Sequence, residues 1–125
     1  MKQDINTPGA PGAIGPYSQA IDAGLFICTS GQLPINPVTG EMPATVTEQT
    51  AQSLENVSAI LEAAGLSMND IVKTTVFLAD MNDFAAMNQV YAQYFAAPFP
   101  ARSAVAVKTL PKNALVEIEA LAVRQ

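Results

Sequence analysis

Two stretches near the end of the chain decide how the rest is read. They are Phe99-Pro100-Ala101-Arg102-Ser103-Ala104-Val105-Ala106-Val107 and Leu115-Val116-Glu117-Ile118-Glu119-Ala120-Leu121-Ala122-Val123. Both read as strands, and Leu110-Pro111-Lys112-Asn113 between them is a turn-type connection, so the two strands are expected to pair. Arg102 stands at the start of the first strand in a chain with only 6 Lys+Arg. Glu117 and Glu119 lie two residues apart in the second and so share one face. Charges in such apolar surroundings are costly unless paired, solvated or used. Either Arg102 and a glutamate form a structural pair across neighbouring strands, or they belong to a site.

Upstream, Ile71-Val72-Lys73-Thr74-Thr75-Val76-Phe77-Leu78-Ala79 is β-branched almost throughout and reads as a strand. Val72, Val76 and Leu78 are expected on one side of it, and Ile71 and Phe77 on the other. In the closing strand Val116, Ile118, Ala120 and Ala122 share a face, while Leu115, Leu121 and Val123 sit with the two glutamates. A helix precedes the middle strand. Thr45 and Glu48 fit a capping box, apolar residues at 46, 50/51, 54, 57, 61 and 64 keep helical spacing, and Gly65 is a natural stop. A second helix runs from about Asn82 or Asp83 to Phe95, with Phe84, Met87, Tyr91 and Phe95 on one stripe. Asn88 lies at the edge of that stripe and needs a polar partner in the core or in a ligand pocket.

Towards the N-terminus, residues 7–16 form a Pro/Gly-rich surface loop. Its glycines at 9, 12 and 15 are followed by no Lys-Ser/Thr, which argues against a nucleotide cradle. Tyr17–Ile21 and Leu25–Thr29 read as strands joined by the turn at Asp22-Ala23-Gly24. Gly31 ends the second of these, where close backbone approach or a positive φ is expected, and residues 32–44 form a loop around the turn Pro37-Val38-Thr39-Gly40. The order is ββ, helix, strand, helix, ββ: an α+β domain spanning 1–125, with two helices on one face of an antiparallel or mixed sheet. Both sheet faces are apolar, so the face opposite the helices is expected to be buried by self-association, with the carboxylates at the subunit boundary.

Composition narrows the chemistry. Half the residues are hydrophobic, only 14% are charged, and the net charge is −5. No apolar run approaches the roughly 18 residues of a membrane span, and no basic patch suits nucleic acid. With no histidine, Ser-His-Asp and Cys-His arrangements and His-based metal sites are impossible. Cys28 is the only cysteine and is expected to be a small buried hydrophobe. A cytoplasmic setting is expected, with no signal segment at the N-terminus. Lys73 and Lys108 lie in strands without a partner that would lower their pKa, so Schiff-base chemistry is not expected of them.

The motifs Gly15-Pro16-Tyr17-Ser18-Gln19-Ala20, Thr29-Ser30-Gly31-Gln32-Leu33-Pro34, Asn36-Pro37-Val38-Thr39-Gly40-Glu41 and Ser53-Leu54-Glu55-Asn56-Val57 add a further layer. So do Ala63-Ala64-Gly65-Leu66, Lys73-Thr74-Thr75-Val76-Phe77, Asn82–Asn88, Phe99-Pro100-Ala101-Arg102-Ser103 and Val116-Glu117-Ile118-Glu119-Ala120. Together they resemble the reactive-intermediate deaminase family, also called RidA or YjgF, over nearly the whole chain. The resemblance implies a chorismate-mutase-like α+β fold, a homotrimer with clefts between subunits, and no metal or organic cofactor. It also implies hydrolysis of enamines and imines of the 2-aminoacrylate and 2-iminopropionate type to 2-oxo acids and ammonia. In that picture Arg102 grips the substrate carboxylate, Glu117 positions or activates water, and Tyr17, Ser30, Gly31 and Asn88 line the cleft. Many members carry a cysteine two residues after the arginine, where this chain has Ala104. The alternative is a trimer that binds 2-oxo acids or similar carboxylates without turning them over. Glu117 separates the two readings, because a carboxylate sensor gains nothing from an acidic group beside its ligand.

Overall fold

The computed structural model describes residues 1–125. Strands β1 (Gln3–Ile5), β2 (Ala20–Asp22) and β3 (Phe26–Thr29) are followed by helix α1 (Val46–Ala63) and strand β4 (Ile71–Leu78). Helix α2 (Phe84–Tyr94) and strands β5 (Ala101–Ala106) and β6 (Val116–Val123) complete the chain. The six strands form one mixed sheet in the order β1-β2-β3-β6-β4-β5. Only β4 and β5 run parallel. This is the α+β architecture anticipated above, with the helices packed on one side.

The pairing of the two closing strands differs from expectation. β6 is antiparallel to β4 and to β3, whereas β5 lies on the far side of β4 as an edge strand. The physical reason lies in the connections. The β4-to-β5 link carries all of α2, which is what a parallel crossover needs. The β-branched β4 takes the central place, with hydrogen bonds on both sides. β5, built from Ala, Arg, Ser and Val and preceded by Pro100, suits an edge.

Local capping explains where the helices begin. The Thr45 hydroxyl accepts from the Glu48 N–H and donates to the Glu48 carboxylate, and Gly65 has φ +80° just past the end of α1. Asp80 caps a short 3-10 turn, Met81–Asp83, which leads into α2 one or two residues later than the spacing suggested. Leu54, Val57, Ile60 and Leu61 of α1 and Met87 and Tyr91 of α2 pack on Ile27, Val76, Leu78, Val116, Ile118 and Ala122. Burying each large aliphatic side chain of this layer stabilises the fold by about 1.5–3 kcal/mol.

Four further differences have local causes. β1 is a strand that the polar N-terminus did not announce; it adds to β2 through Gln3↔Asp22 and Ile5↔Ala20. Tyr17 and Ser18 precede the strand assigned to them, because β2 starts only at Ala20. A β-bulge between Ile71 and Lys73 puts Ile71, not Val72, on the buried side with Val76 and Leu78, and leaves Val72 exposed. Cys28 is exposed instead of buried, because it belongs to the face that no helix covers. That open face also carries exposed Phe26 and Val105 and part-exposed Phe77, Leu121 and Val123, together with Glu117 and Glu119. Its apolar character is as expected; within the protomer it is uncovered.

Candidate active site

Arg102 and Glu117 do not meet. Arg102 stands level with Thr74 of β4, whereas Glu117 stands level with Phe77. Three residue levels and two strand spacings separate them, about 10 Å in each direction. An odd number of levels also puts the two side chains on opposite faces of the sheet. No ion pair joins them; the one ion pair in the chain is Arg124–Asp22. A structural Arg102–glutamate pair is therefore ruled out.

On the helix side, Arg102 lies against α2. Its Nη1 donates to Asn88 Oδ1 at 2.7 Å, which answers what Asn88 does on the edge of the apolar stripe. The guanidinium carbon is 4.7 Å from the Tyr91 ring centroid and 5.4 Å from that of Phe84. Beneath it the Tyr91 hydroxyl and Thr74 Oγ1 are hydrogen-bonded at 2.7 Å, in a buried position. Nη2 and Nε make no hydrogen bond within the chain, so one edge of the planar donor group is free for an anion.

On the open side, Glu117 lies beside the segment that follows β3. Gln32 and Ile118 exchange both backbone hydrogen bonds, which draws Ser30-Gly31-Gln32 alongside β6. Gly31 fits there only because it has no side chain: a Cβ would come within 2.0 Å of Glu117 Oε2. Burial, and then the like charge of Glu119, push the Glu117 carboxyl above its ordinary pKa of 4.5. The Ser30 hydroxyl donates to the Ser18 carbonyl at 2.6 Å, and the Ser30 N–H donates to the Gln19 carbonyl. These bonds bring the 17–19 segment next to Gly31. Tyr17, 49% exposed, shares with Gly31 a groove of about 260 Å³ whose walls include Ile14, Leu33, Ile35 and Lys112.

The six residues singled out from sequence thus fall into two groups. Tyr17, Ser30, Gly31 and Glu117 lie together, Arg102 and Asn88 lie together, and one sheet separates them. Sequence reasoning missed the aromatic seat under Arg102. Phe84, Asn88 and Tyr91 follow each other at i, i+4 and i+7, a spacing that marks one stripe, but the aromatic members read as core. It also missed Gln19, whose buried amide binds the carbonyls of Thr7, Ala10 and Pro11 and so fixes the Pro/Gly-rich loop beside Tyr17. Nor did it anticipate that Lys112 and Asn113 adopt positive φ of 58° and 56° in the turn leading to β6. No group of three or more His, Cys, Asp or Glu is placed to hold a metal ion. No helix is long and apolar enough to cross a membrane.

Comparison with known proteins places the chain as a whole. The family model described as endoribonuclease L-PSP matches residues 7–124. The chain is 58% identical over 128 residues to the 2-iminobutanoate/2-iminopropanoate deaminase of Escherichia coli K12, covering 100% of both chains. It superposes on the crystal structure of E. coli TdcF with bound serine with a TM-score of 0.96 and 56% identity, covering 98% of this chain and 99% of the other. The E. coli YjgF gene product gives a TM-score of 0.94 at 57% identity, again covering 98% and 99%. A match of this extent, over a range that includes both β5 and β6, means that the chain belongs to the endoribonuclease L-PSP family, the YjgF/RidA family.

Proposed function

We propose that this protein is a deaminase that hydrolyses enamine and imine intermediates of the 2-aminoacrylate and 2-iminopropanoate type to 2-oxo acids and ammonia. The observation that carries the reading is Glu117, a half-buried carboxyl pushed above its usual pKa and held beside Gly31. A carboxyl held there can accept a proton from a water molecule, and a site that only binds carboxylates has no use for it. The identity to the E. coli deaminase supports the activity, and the serine bound to TdcF supports a ligand of amino-acid size with a carboxylate. Net charge −5 and the lack of histidine offer nothing for RNA cleavage, whatever the family's description.

In this reading the site forms between copies of the chain. Arg102 and Asn88 of one protomer face Tyr17, Ser30, Gly31 and Glu117 of the next, in a homotrimer of chorismate-mutase-like form. The support is geometric: the two groups lie on opposite faces of one sheet, β5 is a free edge, and the open face is apolar. The free edge of the Arg102 guanidinium takes the substrate carboxylate. Glu117 takes a proton from a water molecule as its oxygen adds to the imine carbon. Glu117 passes that proton to the nitrogen, giving the carbinolamine. The carbinolamine hydroxyl proton then moves by way of Glu117 to the nitrogen as the C=O bond forms and the C–N bond breaks, so that ammonia and the 2-oxo acid leave. An enamine enters the same route once its N–H proton has moved to carbon. An imine is already electrophilic, so orientation and proton transfer are all the protein must supply, and Ala104 in place of a cysteine leaves this route intact. A cytoplasmic location fits a catalyst that removes reactive products of amino-acid metabolism.

The test is ammonia and 2-oxo acid release from 2-aminoacrylate generated in situ, with a no-protein control. Acceleration by the wild type that is lost in Arg102→Ala and reduced in Glu117→Ala supports the deaminase and both roles. Equal rates with and without protein overturn it, and Arg102-dependent carboxylate binding then becomes the account.

A further inference from the structure

We infer that Tyr91 is a positioning residue for the substrate carboxylate, acting through Arg102: its ring, anchored by Thr74, is the seat that fixes which edge of the guanidinium faces the ligand. The inference deepens the functional reading above and rests on it for the identity of the ligand, but the seat itself is a property of the chain.

Three contacts define the seat. The guanidinium carbon of Arg102 lies 4.7 Å from the Tyr91 ring centroid, the closer of its two aromatic neighbours. Asn88 Oδ1 takes Nη1 at 2.7 Å. A planar cation held on a ring face and tethered at one corner has lost both ways of turning, so Nη2 and Nε are left pointing at one place. The ring is fixed in turn. The Tyr91 hydroxyl and Thr74 Oγ1 are 2.7 Å apart with Thr74 buried, and the Phe95 ring centroid is 4.5 Å from that of Tyr91. Thr74 is the residue level with Arg102 across the β4–β5 ladder. One rung of the sheet therefore supplies both the arginine and the anchor of the ring beneath it.

A buried tyrosine needs a partner for its hydroxyl, and the fold could have met that need anywhere. Placing the partner directly beside the arginine couples the ring's position to that of the guanidinium. Arg102 sits on an exposed edge strand, where a long side chain otherwise samples many rotamers. Without the seat, binding a carboxylate would have to order that side chain, at a cost in affinity and not in the proton-transfer step.

The experiment uses Tyr91→Leu, which removes the ring; Tyr91→Phe, which keeps the ring and removes the anchor; and Thr74→Ser, which keeps the anchor and serves as the conservative control. Two readouts are taken. The first is the side-chain Hε and Cδ proton shifts of Arg102 by NMR, with Arg124 as internal reference; the second is kcat and KM for the imine together with 2-oxo acid binding by calorimetry. Wild type and Thr74→Ser are expected to show an Arg102 signal displaced by the ring current, and Tyr91→Leu to lose that displacement. KM and the 2-oxo acid Kd should rise about three- to thirtyfold in Tyr91→Leu and less in Tyr91→Phe, with kcat within about twofold, as loss of a partly desolvated cation–π contact predicts. A neutral amide analogue of the 2-oxo acid should show no change in affinity between wild type and variants, which a merely structural defect would not spare. An undisplaced Arg102 signal in the wild type overturns the seat. A displaced signal with unchanged KM and Kd in Tyr91→Leu overturns its role in binding. The NMR signal does not depend on turnover, so a displaced signal in a protein that fails the deaminase assay overturns the functional reading while keeping the seat.

Discussion

Arg102 and Glu117 are the two charges that make this chain chemically interesting, and the fold treats them in opposite ways. Arg102 is on an edge strand, on the helix side, held by aromatic faces and one amide, with part of its donor edge free. Glu117 is on a strand with neighbours on both sides, on the open face, pressed against a backbone segment that has given up its side chain to make room. A cation can be left at an edge because a guanidinium is weakly hydrated and stacks well. A carboxyl used for proton transfer needs partial burial to raise its pKa, and β6 provides it. The difference teaches that within one protomer the two groups face opposite sides of the sheet, which is why the proposed site draws on two copies of the chain.

The sharpest way to break the comparison is to mix two disabled proteins. Glu117→Gln should lower kcat by roughly 10²–10⁴ as a lost general acid–base. Arg102→Ala should lower kcat/KM by the equivalent of about 2–5 kcal/mol of transition-state binding. Unfolded together and refolded at equal amounts, the two variants should recover activity at about a quarter of the sites, since each proposed site takes one group from each of two protomers. No recovery on mixing, with both variants folded, would show that each site draws both groups from one chain.

A smaller effect sharpens the Glu117 side. Gly31→Ala places a methyl 2.0 Å from Glu117 Oε2, so the carboxylate must move or β6 must shift. We expect kcat to fall about tenfold or more, with a loss of about 1–3 kcal/mol in stability measured by urea unfolding. Unchanged kcat in Gly31→Ala would mean that the position of Glu117 is unimportant.

The smallest expected effect is on stability against pH. The folded state raises the pKa of Glu117 above 4.5, so it holds that proton more tightly than the unfolded chain does. Stability from this source is fully present below about pH 4.5 and is lost as pH rises through the raised value. Glu117→Gln removes that slope. Its urea midpoint relative to wild type should therefore be higher at about pH 7 than at about pH 4, by a margin that solvent screening keeps small. An equal difference at both values would place the pKa of Glu117 at its ordinary position. A more alkaline counterpart lies one helical turn past Tyr91 on α2: burial and the hydrogen bond to Glu55 push Tyr94 up to about 12.

Much of the frame follows from sequence directly. The capping pair Thr45 and Glu48, the stop at Gly65, the β-branched run of β4 and the alternation of β6 are set by local conformational preference and by a period of two or 3.6. Arg102, Glu117, Gly31 and Asn88 stood out as candidates for a related reason: charges, an amide and a glycine are conspicuous where the surrounding pattern is apolar, whereas Tyr17 and Ser30 entered only through the resemblance to the family. The seat under Arg102 was not legible, because Phe84 and Tyr91 satisfy the helical stripe whether or not they also hold a cation. The exchange of Ile71 for Val72 on the buried side was not legible either, since a single bulged residue reverses the faces without changing the composition.

What the sequence determined by itself was every element but β1, their helix or strand character, and the residues with reactive chemistry. These depend on neighbours within a few positions. The tertiary structure alone decided that β4 comes between β5 and β6, since strand order turns on which connection can cross the sheet and which strand best fills its centre. That one choice sends Arg102 and Glu117 to opposite faces. Pairing β5 directly with β6 would have allowed an ion pair; inserting β4 leaves each charge without an oppositely charged partner in the chain.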